Sequence, residues 1–551
     1  MTAPRWVPIT ALLIVSLFFG LGSPWIAWPG LYYDETLFVL ASFPRVDTPI
    51  AYTMKFRTGP VALMLDSYLG ALKGWLYRPI LRMHAGSAAW IRRPVLLLGA
   101  LSLYFFYLFA RRAFGWQAAL LALALAATDP IYLFTTRLDW GPVAIQHFCL
   151  LAGCWGVLRW WQERRGFDLA LACFLMGAGI FDKATFLWLL AALILSVAAV
   201  SPRQLRDALR PRPLAIAAAG LLLGAAPFIC YNWKYSGETF RRQQDRTSKY
   251  GEKVRGARYV LEGVALAGWI TAEMDGPPLD PPDHLARAVY RLAPREPLAR
   301  TLVLPASLLA LLLLPALPWA PWAQGMLFAL LFCSLAFAQM LPIQGAGAVH
   351  HLALLLPFPQ LLIAAGLFGA RERMQSWFAG RGRRIASILL CLIVAALIVM
   401  NLRAVAHQYF CILGYGGSPG WSEAIYSLQR SLEGRHTDKT VLLDWGMATQ
   451  LRALSGDRLP VQEASQPQGP AYDAEYLARD FSKPRVLYVR YAAGVPPVFP
   501  QIGNAFLELA AAHGYHARIV EIIKDRRGRP IYELLSLQSA PAASNLPAPS
   551  R

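Results

Sequence analysis

Apolar residues in this chain gather in blocks of about 17–22 positions, the length a helix needs to cross about 30 Å of hydrocarbon. About eleven such blocks occur, near 7–27, 90–110, 116–134, 141–161, 167–181, 185–200, 213–231, 301–318, 321–341, 349–370 and 385–405. The pattern predicts a polytopic α-helical membrane protein. The first block follows Arg5 as a signal peptide would. It is long and aromatic and lacks a small-x-small cleavage site, so it reads as a retained span.

Arginines mark the short breaks between blocks. Arg111 and Arg112 follow the second, Arg159, Arg164 and Arg165 the fourth, and Arg203, Arg206, Arg210 and Arg212 the sixth. Arg371, Arg373, Arg381, Arg383 and Arg384 follow the tenth. A cytoplasmic N-terminus puts all four groups inside, as the positive-inside tendency requires, and puts the C-terminus outside. Arg92 and Arg93 run against this. They end a first outer loop of about sixty residues, whose charge weighs little in orientation and is open to another task.

Three regions then face outward: a loop of about 28–89, a loop of about 232–300, and the tail from about 406. In the first, Gly59 to Met83 is rich in Leu, Tyr and Trp with interspersed cations, the pattern of a helix lying in the interface. The second carries Gly276-Pro-Pro-Leu-Asp-Pro-Pro-Asp283 and reads as a surface lid or an irregular loop. The tail predicts strands at Thr440–Leu443, Arg485–Val489, Arg518–Ile523 and Ile531–Leu537, with helices near Met447–Leu454 and Asn504–His513. The organisation is therefore a membrane domain over 1–405, an extracytoplasmic α/β domain over 406–540 and a disordered Pro-, Ala- and Ser-rich end at 541–551.

Composition agrees. Hydrophobic residues make up 56% of 551 positions and charged residues 16%, against about a quarter in soluble chains. The net charge of +20 is mostly arginine beside apolar blocks, where anionic lipid is the first partner. No zinc-finger spacing, RNA-recognition motif or separate basic domain is present, which excludes nucleic acid. The seven cysteines include no CxxC and lie in or beside apolar runs, as packing residues do.

The ionisable groups near the spans fall on one side. Asp34-Glu35 follows the first block, in Leu31-Tyr-Tyr-Asp-Glu-Thr36; two solvated loop acids would look the same. As chemistry, one carboxylate takes a proton from an attacking group and its neighbour positions that group or binds a metal. Arg137 and Asp139 lie between the third and fourth blocks, where they could also pair with each other. Asp182-Lys183 forms the tip between the fifth and sixth, and an outward lysine there invites an anionic partner. His350-His351 opens the tenth block, with no third His to complete a zinc site. Carboxylates with Arg, Lys and His at headgroup depth suit a substrate that is both lipid and anionic, such as a polyprenyl phosphate.

On these residues the chain resembles the lipid-phosphate-dependent glycosyltransferases of the GT-C fold. It is similar to bacterial family 39 and the RgtA/B/C/D-like group, relatives of protein O-mannosyltransferases and of the lipid A aminoarabinose transferase. The resemblance covers roughly 1–370 and rests on Asp34-Glu35, Arg137-x-Asp139, Gly179-Ile-Phe-Asp-Lys183 and the His350-His351 segment leading to Pro357. The family commonly has Arg-Tyr where the two histidines stand. Lys55-Phe-Arg-Thr-Gly-Pro60 is a loose counterpart of the Lys-Pro-Pro-Leu-Tyr-like segment of the lipid A enzymes.

The resemblance implies transfer of a hexose or pentose from a polyprenyl-phosphate sugar to a glycan, lipid or protein at the outer face of the plasma (inner) membrane, with inversion. Asp34, Glu35 and Asp139 are then the catalytic candidates, and Arg137, Lys183, Lys55, Arg57, His350 and His351 the donor-phosphate candidates. Should a divalent metal take part, Glu35 and Asp139 are its candidate ligands. The tail has no phosphate-binding Gly-rich loop after its first strand, Asp444-Trp-Gly-Met447 being no such fingerprint, so it is expected to position an acceptor. A transporter or flippase for a lipid-linked or anionic solute is the alternative, disfavoured by spans almost free of ionisable residues and by the lack of an obvious repeat. An inactive scaffold is a third reading, against which the intact Asp34-Glu35 pair stands.

The topology predicts that a phosphatase fused at residue 540 is active. Activity instead from a reporter that works only in the cytoplasm would overturn it.

Overall fold

The computed structural model describes residues 4–43, 52–57, 59–84, 86–242, 245–293, 299–317, 319–377, 381–466, 469–472 and 477–539. The end expected to be disordered, 541–551, lies outside the described residues. Each of the eleven apolar blocks coincides with a helix or a bent helix pair. Five are long and apolar enough to cross a membrane: Ala88–Phe114, Val143–Glu163, Pro321–Met340, Val349–Trp377 and Gly382–Tyr415. Two more pass as bent pairs, Trp116–Ala127 with Pro130–Arg137 (60°) and Pro211–Gly224 with Ala226–Lys234 (69°). Trp6–Gly22, Gly166–Asp182, Phe186–Val200 and Val303–Ala316 are shorter. Eleven crossings thus stand as a count of blocks, and by length and composition five to seven helices qualify. The chain is a multi-pass membrane protein with a C-terminal sheet domain.

A break inside hydrocarbon frees backbone groups that water cannot satisfy, so neighbouring helices must. At the first break Asp129 caps the following turn by accepting the Tyr132 N–H (2.9 Å), with Pro130 at the first helical position. Gln360 donates to the other Asp129 oxygen (2.9 Å), and Asn401 donates to the Leu125 carbonyl and the Thr128 hydroxyl (3.2 and 3.3 Å).

The arginine-bearing ends share one face. Arg112 bonds Glu163 (2.6 Å), Arg164 bonds Asp207 (2.6 Å), and Gln324 donates to Ser201 (3.1 Å). Trp322 Nε1 completes the chain of contacts by reaching Glu372.

Helices Gly166–Asp182 and Pro211–Gly224 pack against each other through small residues. A Cβ on Gly220 or Gly224 would lie 2.4 or 2.1 Å from the Ala170 or Phe174 carbonyl oxygen. Lipid tails are as apolar as leucine, so such close backbone approach is a main source of helix association.

Three expectations change. Gly59–Met83 is not one interfacial helix. Gly59–Asp66 is a strand paired antiparallel with Tyr52–Phe56, and a helix follows at Leu72–His84. Residues Ala62 to Leu65 are all buried, and a continuous apolar run does not distinguish a doubly covered strand from a helix. The second outer loop carries helices Glu238–Arg242, Tyr250–Leu261 and His284–Leu292, while the Pro-rich stretch 276–283 is irregular. The last span does not end near 405: its helix continues to Tyr415, because Arg403, His407 and Gln408 interrupt hydropathy without interrupting helicity.

The C-terminal sheet has five strands in the order Val461–Glu463, Lys439–Leu442, Val486–Tyr491, Pro530–Ser539, Tyr515–Lys524. The first two pairings are parallel and the last two antiparallel. Helix Pro500–Ala512 covers one face, where Ile502 and Phe506 join Val441 and Tyr488 in a buried cluster. Helices Ala424–Gly434 and Met447–Ser455 pack their apolar residues with Leu442 and Val489 on the other side, together with Leu31 and Val95 of the membrane domain.

Replacing Gly220 or Gly224 by Leu should cost about 1–3 kcal/mol by overpacking. Thermal unfolding in detergent would show it. Gly20→Ala, with nothing within 4 Å of the added carbon, should be neutral.

Candidate active site

Asp34 and Glu35 sit in a short helix, Tyr33–Leu37. Glu35 folds back to accept the Tyr32 N–H (3.0 Å), capping that helix. Its carboxylate is fully buried and held by Arg92 through two parallel bonds, Nε to Oε2 at 2.6 Å and Nη2 to Oε1 at 2.7 Å. Arg92 also donates to the carbonyls of Ile26 (2.9 Å), Pro29 (2.8 Å) and Gly30 (2.9 Å). All of its donor capacity is spent on one segment of chain. The arginine that sat awkwardly with the topology thus has its task.

Asp34, the next residue back, is half-buried. Among the described residues no hydrogen bond reaches its carboxylate. The charges that act on it are Lys183, Glu35, Asp139 and Lys73. Burial is the dominant effect and raises its pKa to about 6; Lys183 pulls it down, while Glu35 and Asp139 push it up. Burial likewise lowers Lys183 to about 8, opposed by Asp34, Asp182 and Asp139.

Lys183 ends helix Gly166–Asp182 in an extended conformation and bridges to Leu69 of the first outer loop. Gly70 is required beside it, since a Cβ there would lie 1.9 Å from the Phe181 carbonyl oxygen. Asp139 adopts the left-handed region (φ 43°) just after helix Pro130–Arg137, and its buried carboxylate pairs with Lys73 of helix Leu72–His84. His350 reaches the same turn: its ring lies 5.4 Å from Trp140 and crowds Gly141. His351 stacks behind it at 4.1 Å.

The structure therefore gathers Asp34, Asp139, Asp182, Lys183 and His350, and adds Lys73. Arg137 is not among them. It is fully buried and donates to the carbonyls of Gly22 (2.9 Å), Pro24 (3.0 Å) and Trp25 (2.5 Å), holding the end of the first span. Its Nη1 has no hydrogen-bond partner among the described residues. Lys55 and Arg57 are exposed on the hairpin, without an ion pair to the cluster among the described residues.

Lys73 and Arg92 were the residues sequence reasoning missed. Each lies among apolar residues, and the signal was that a buried cation needs an anion. Two lysines already accompany the carboxylates, and no three His, Cys, Asp or Glu side chains among the described residues are placed to hold a metal ion. Glu35, one of the two candidate ligands, is engaged by Arg92. Asp139, the other, is paired with Lys73.

A family model, dolichyl-phosphate-mannose-protein mannosyltransferase, matches residues 71–231. No curated protein matches the chain in sequence. Among solved structures, ArnT from Cupriavidus metallidurans bound to undecaprenyl phosphate superposes with a TM-score of 0.55 at 12% identity, covering 97% of this chain and 98% of that one. The chain has the GT-C fold. The archaeal oligosaccharyltransferase AglB from Archaeoglobus fulgidus, in complex with an inhibitory peptide and a dolichol-phosphate, is also similar. Its TM-score is 0.51 at 11% identity, over 99% of this chain and 75% of that one. At such identities the likeness is one of fold. The family match covers the stretch carrying Lys73, Arg92, Asp139 and Lys183.

Removing one partner of a buried ion pair costs about 3–5 kcal/mol. Arg92→Met should lower the thermal unfolding midpoint accordingly, and adding Glu35→Gln should recover part of the loss. An unaltered midpoint in the single variant would show that the pair does not hold the loop.

Proposed function

We propose that this GT-C chain transfers a sugar from a polyprenyl-phosphate-linked donor to a hydroxyl acceptor at the outer face of the plasma membrane, inverting the anomeric centre. The observation that carries the reading is Asp34: a half-buried carboxylate without a hydrogen-bond partner among the described residues, next to the buried ammonium of Lys183.

Asp34 accepts the acceptor hydroxyl proton as the oxygen attacks the anomeric carbon. The bond from that carbon to the phosphate oxygen breaks, and its electron pair leaves with the phosphate. Negative charge builds there, and a cation already in place lowers the barrier. Lys183 supplies it, with Lys73 set behind through Asp139. His350 lines the same turn as a further polar group. Glu35 fixes the loop through Arg92 and Arg137 holds the end of the first span, both outside the chemistry. The arginine-bearing face is cytoplasmic in this reading, and the site lies at the opposite, outer end of the bundle. The polyprenyl tail stays among the spans. Whether the sugar is a hexose or a pentose, and whether the acceptor is glycan, lipid or protein, is set by the loops and domain above the site.

Asp34→Asn should cost at least about 100-fold in turnover if general-base catalysis operates. A folded variant with near-normal turnover removes Asp34 from the role.

The pH dependence follows from the two groups. Below about pH 6 Asp34 is protonated and cannot take a proton; above about pH 8 Lys183 is neutral and cannot hold the phosphate. kcat/KM should therefore be bell-shaped between those limits. Lys183→Arg should extend activity on the alkaline side, and an alkaline limb unmoved by that change would exclude Lys183.

A further inference from the structure

The segment bearing Asp34 is held from two directions, and the second is the C-terminal domain. From the membrane domain come the Arg92 bonds to Glu35 and to the carbonyls before it. From the C-terminal side, Gln450 donates to the Leu31 carbonyl (2.8 Å) and to Gly420 (3.3 Å), so one buried amide ties the loop to the linker below the domain. The Thr36 hydroxyl bonds the Thr449 hydroxyl (2.9 Å), and Gly30 N–H donates to the Trp421 carbonyl (2.6 Å). Tyr32 stacks on Trp421 with centroids 4.4 Å apart, and Tyr33 lies 4.0 Å from Trp445. Contact is so close at Gly30 that a Cβ would fall 2.1 Å from the Ser422 carbonyl oxygen.

These anchors bracket Asp34: Leu31 lies before it, Thr36 after it, and both lead to adjacent residues of helix Met447–Ser455. Without a hydrogen bond among the described residues, the Asp34 carboxylate takes its position from the backbone on which it is mounted. Misplacement of a reacting group by about 1 Å can cost on the order of 100-fold in rate.

We infer that the C-terminal domain clamps the catalytic loop, with Thr449 and Gln450 as positioning residues for Asp34. The inference rests on the reading of Asp34 as the base and gives the tail a task besides acceptor choice. Acceptor recognition alone would place the contacts on surfaces open to solvent. These lie in the buried seam between the domains.

The test uses the full-length protein in detergent with undecaprenyl-phosphate hexoses and pentoses and with glycan, lipid and peptide hydroxyl acceptors, taking whichever pair the unaltered protein turns over. Gln450→Ala and Thr449→Val should each lower kcat by about 10–100-fold. The donor KM and the binding of undecaprenyl phosphate alone should stay within about twofold, and Thr449→Ser should retain activity. Amide exchange across residues 31–36 should quicken in the two impaired variants. Unchanged kcat and exchange in both would overturn the clamp. So would a raised KM with kcat intact, which would make the domain a binding surface only. Failure of the unaltered protein to turn over any such donor would sink the transferase reading instead, and the exchange measurement would still decide the clamp.

Discussion

The buried pair of Glu35 and Arg92 is the constraint on which the site depends. Two charges removed from water are tolerable only when their hydrogen-bonding capacity is filled, and here it is. The guanidinium uses its fork on the carboxylate and its remaining N–H groups on three carbonyls that precede the Asp34 helix. Glu35 is drawn fully into the protein, while the adjacent Asp34 stays half-buried. One acid becomes the anchor and the other is left exposed to chemistry.

The surrounding bundle makes that arrangement rigid by satisfying backbone groups where water is absent. At the first broken helix Asp129 and Asn401 take up freed backbone groups, and Gln360 holds Asp129 in place. Glycines bring two helices together at the end of which Lys183 emerges, and Gly70 lets the first outer loop sew onto that residue. The position of the lysine is thus a product of several close backbone approaches rather than of its own contacts.

Charge balance explains why the cluster has so many members. Asp34, Asp139 and Asp182 would repel one another without Lys73 and Lys183 between them. Lys73 is committed to Asp139, which leaves Lys183 as the cation beside Asp34. In the proposed reaction an incoming phosphate would meet a preformed positive group and an acceptor a carboxylate, within one partly desolvated space.

By itself the sequence determined the helical blocks, the face on which arginines collect, and the opposite face that carries Asp34, Asp139 and Lys183. It did so because hydrocarbon forces backbone bonds to close within each helix, and because block length and loop charge are read directly from residue order. Four strands and two helices of the tail were legible for a similar local reason, since period and turn residues mark them, whereas the edge strand Val461–Glu463 and helix Ala424–Gly434 were not. Tertiary structure alone decided which of two adjacent acids is anchored, that Lys73 pairs with Asp139, and that Arg137 serves carbonyls. It also decided that Gly59–Asp66 is a strand and that helix Met447–Ser455 grips the Asp34 loop. The partners in these cases stand far apart in the chain, 57 positions for Glu35 and Arg92 and 413 for Thr36 and Thr449. A buried charge announces that it must be compensated, and only packing chooses by what.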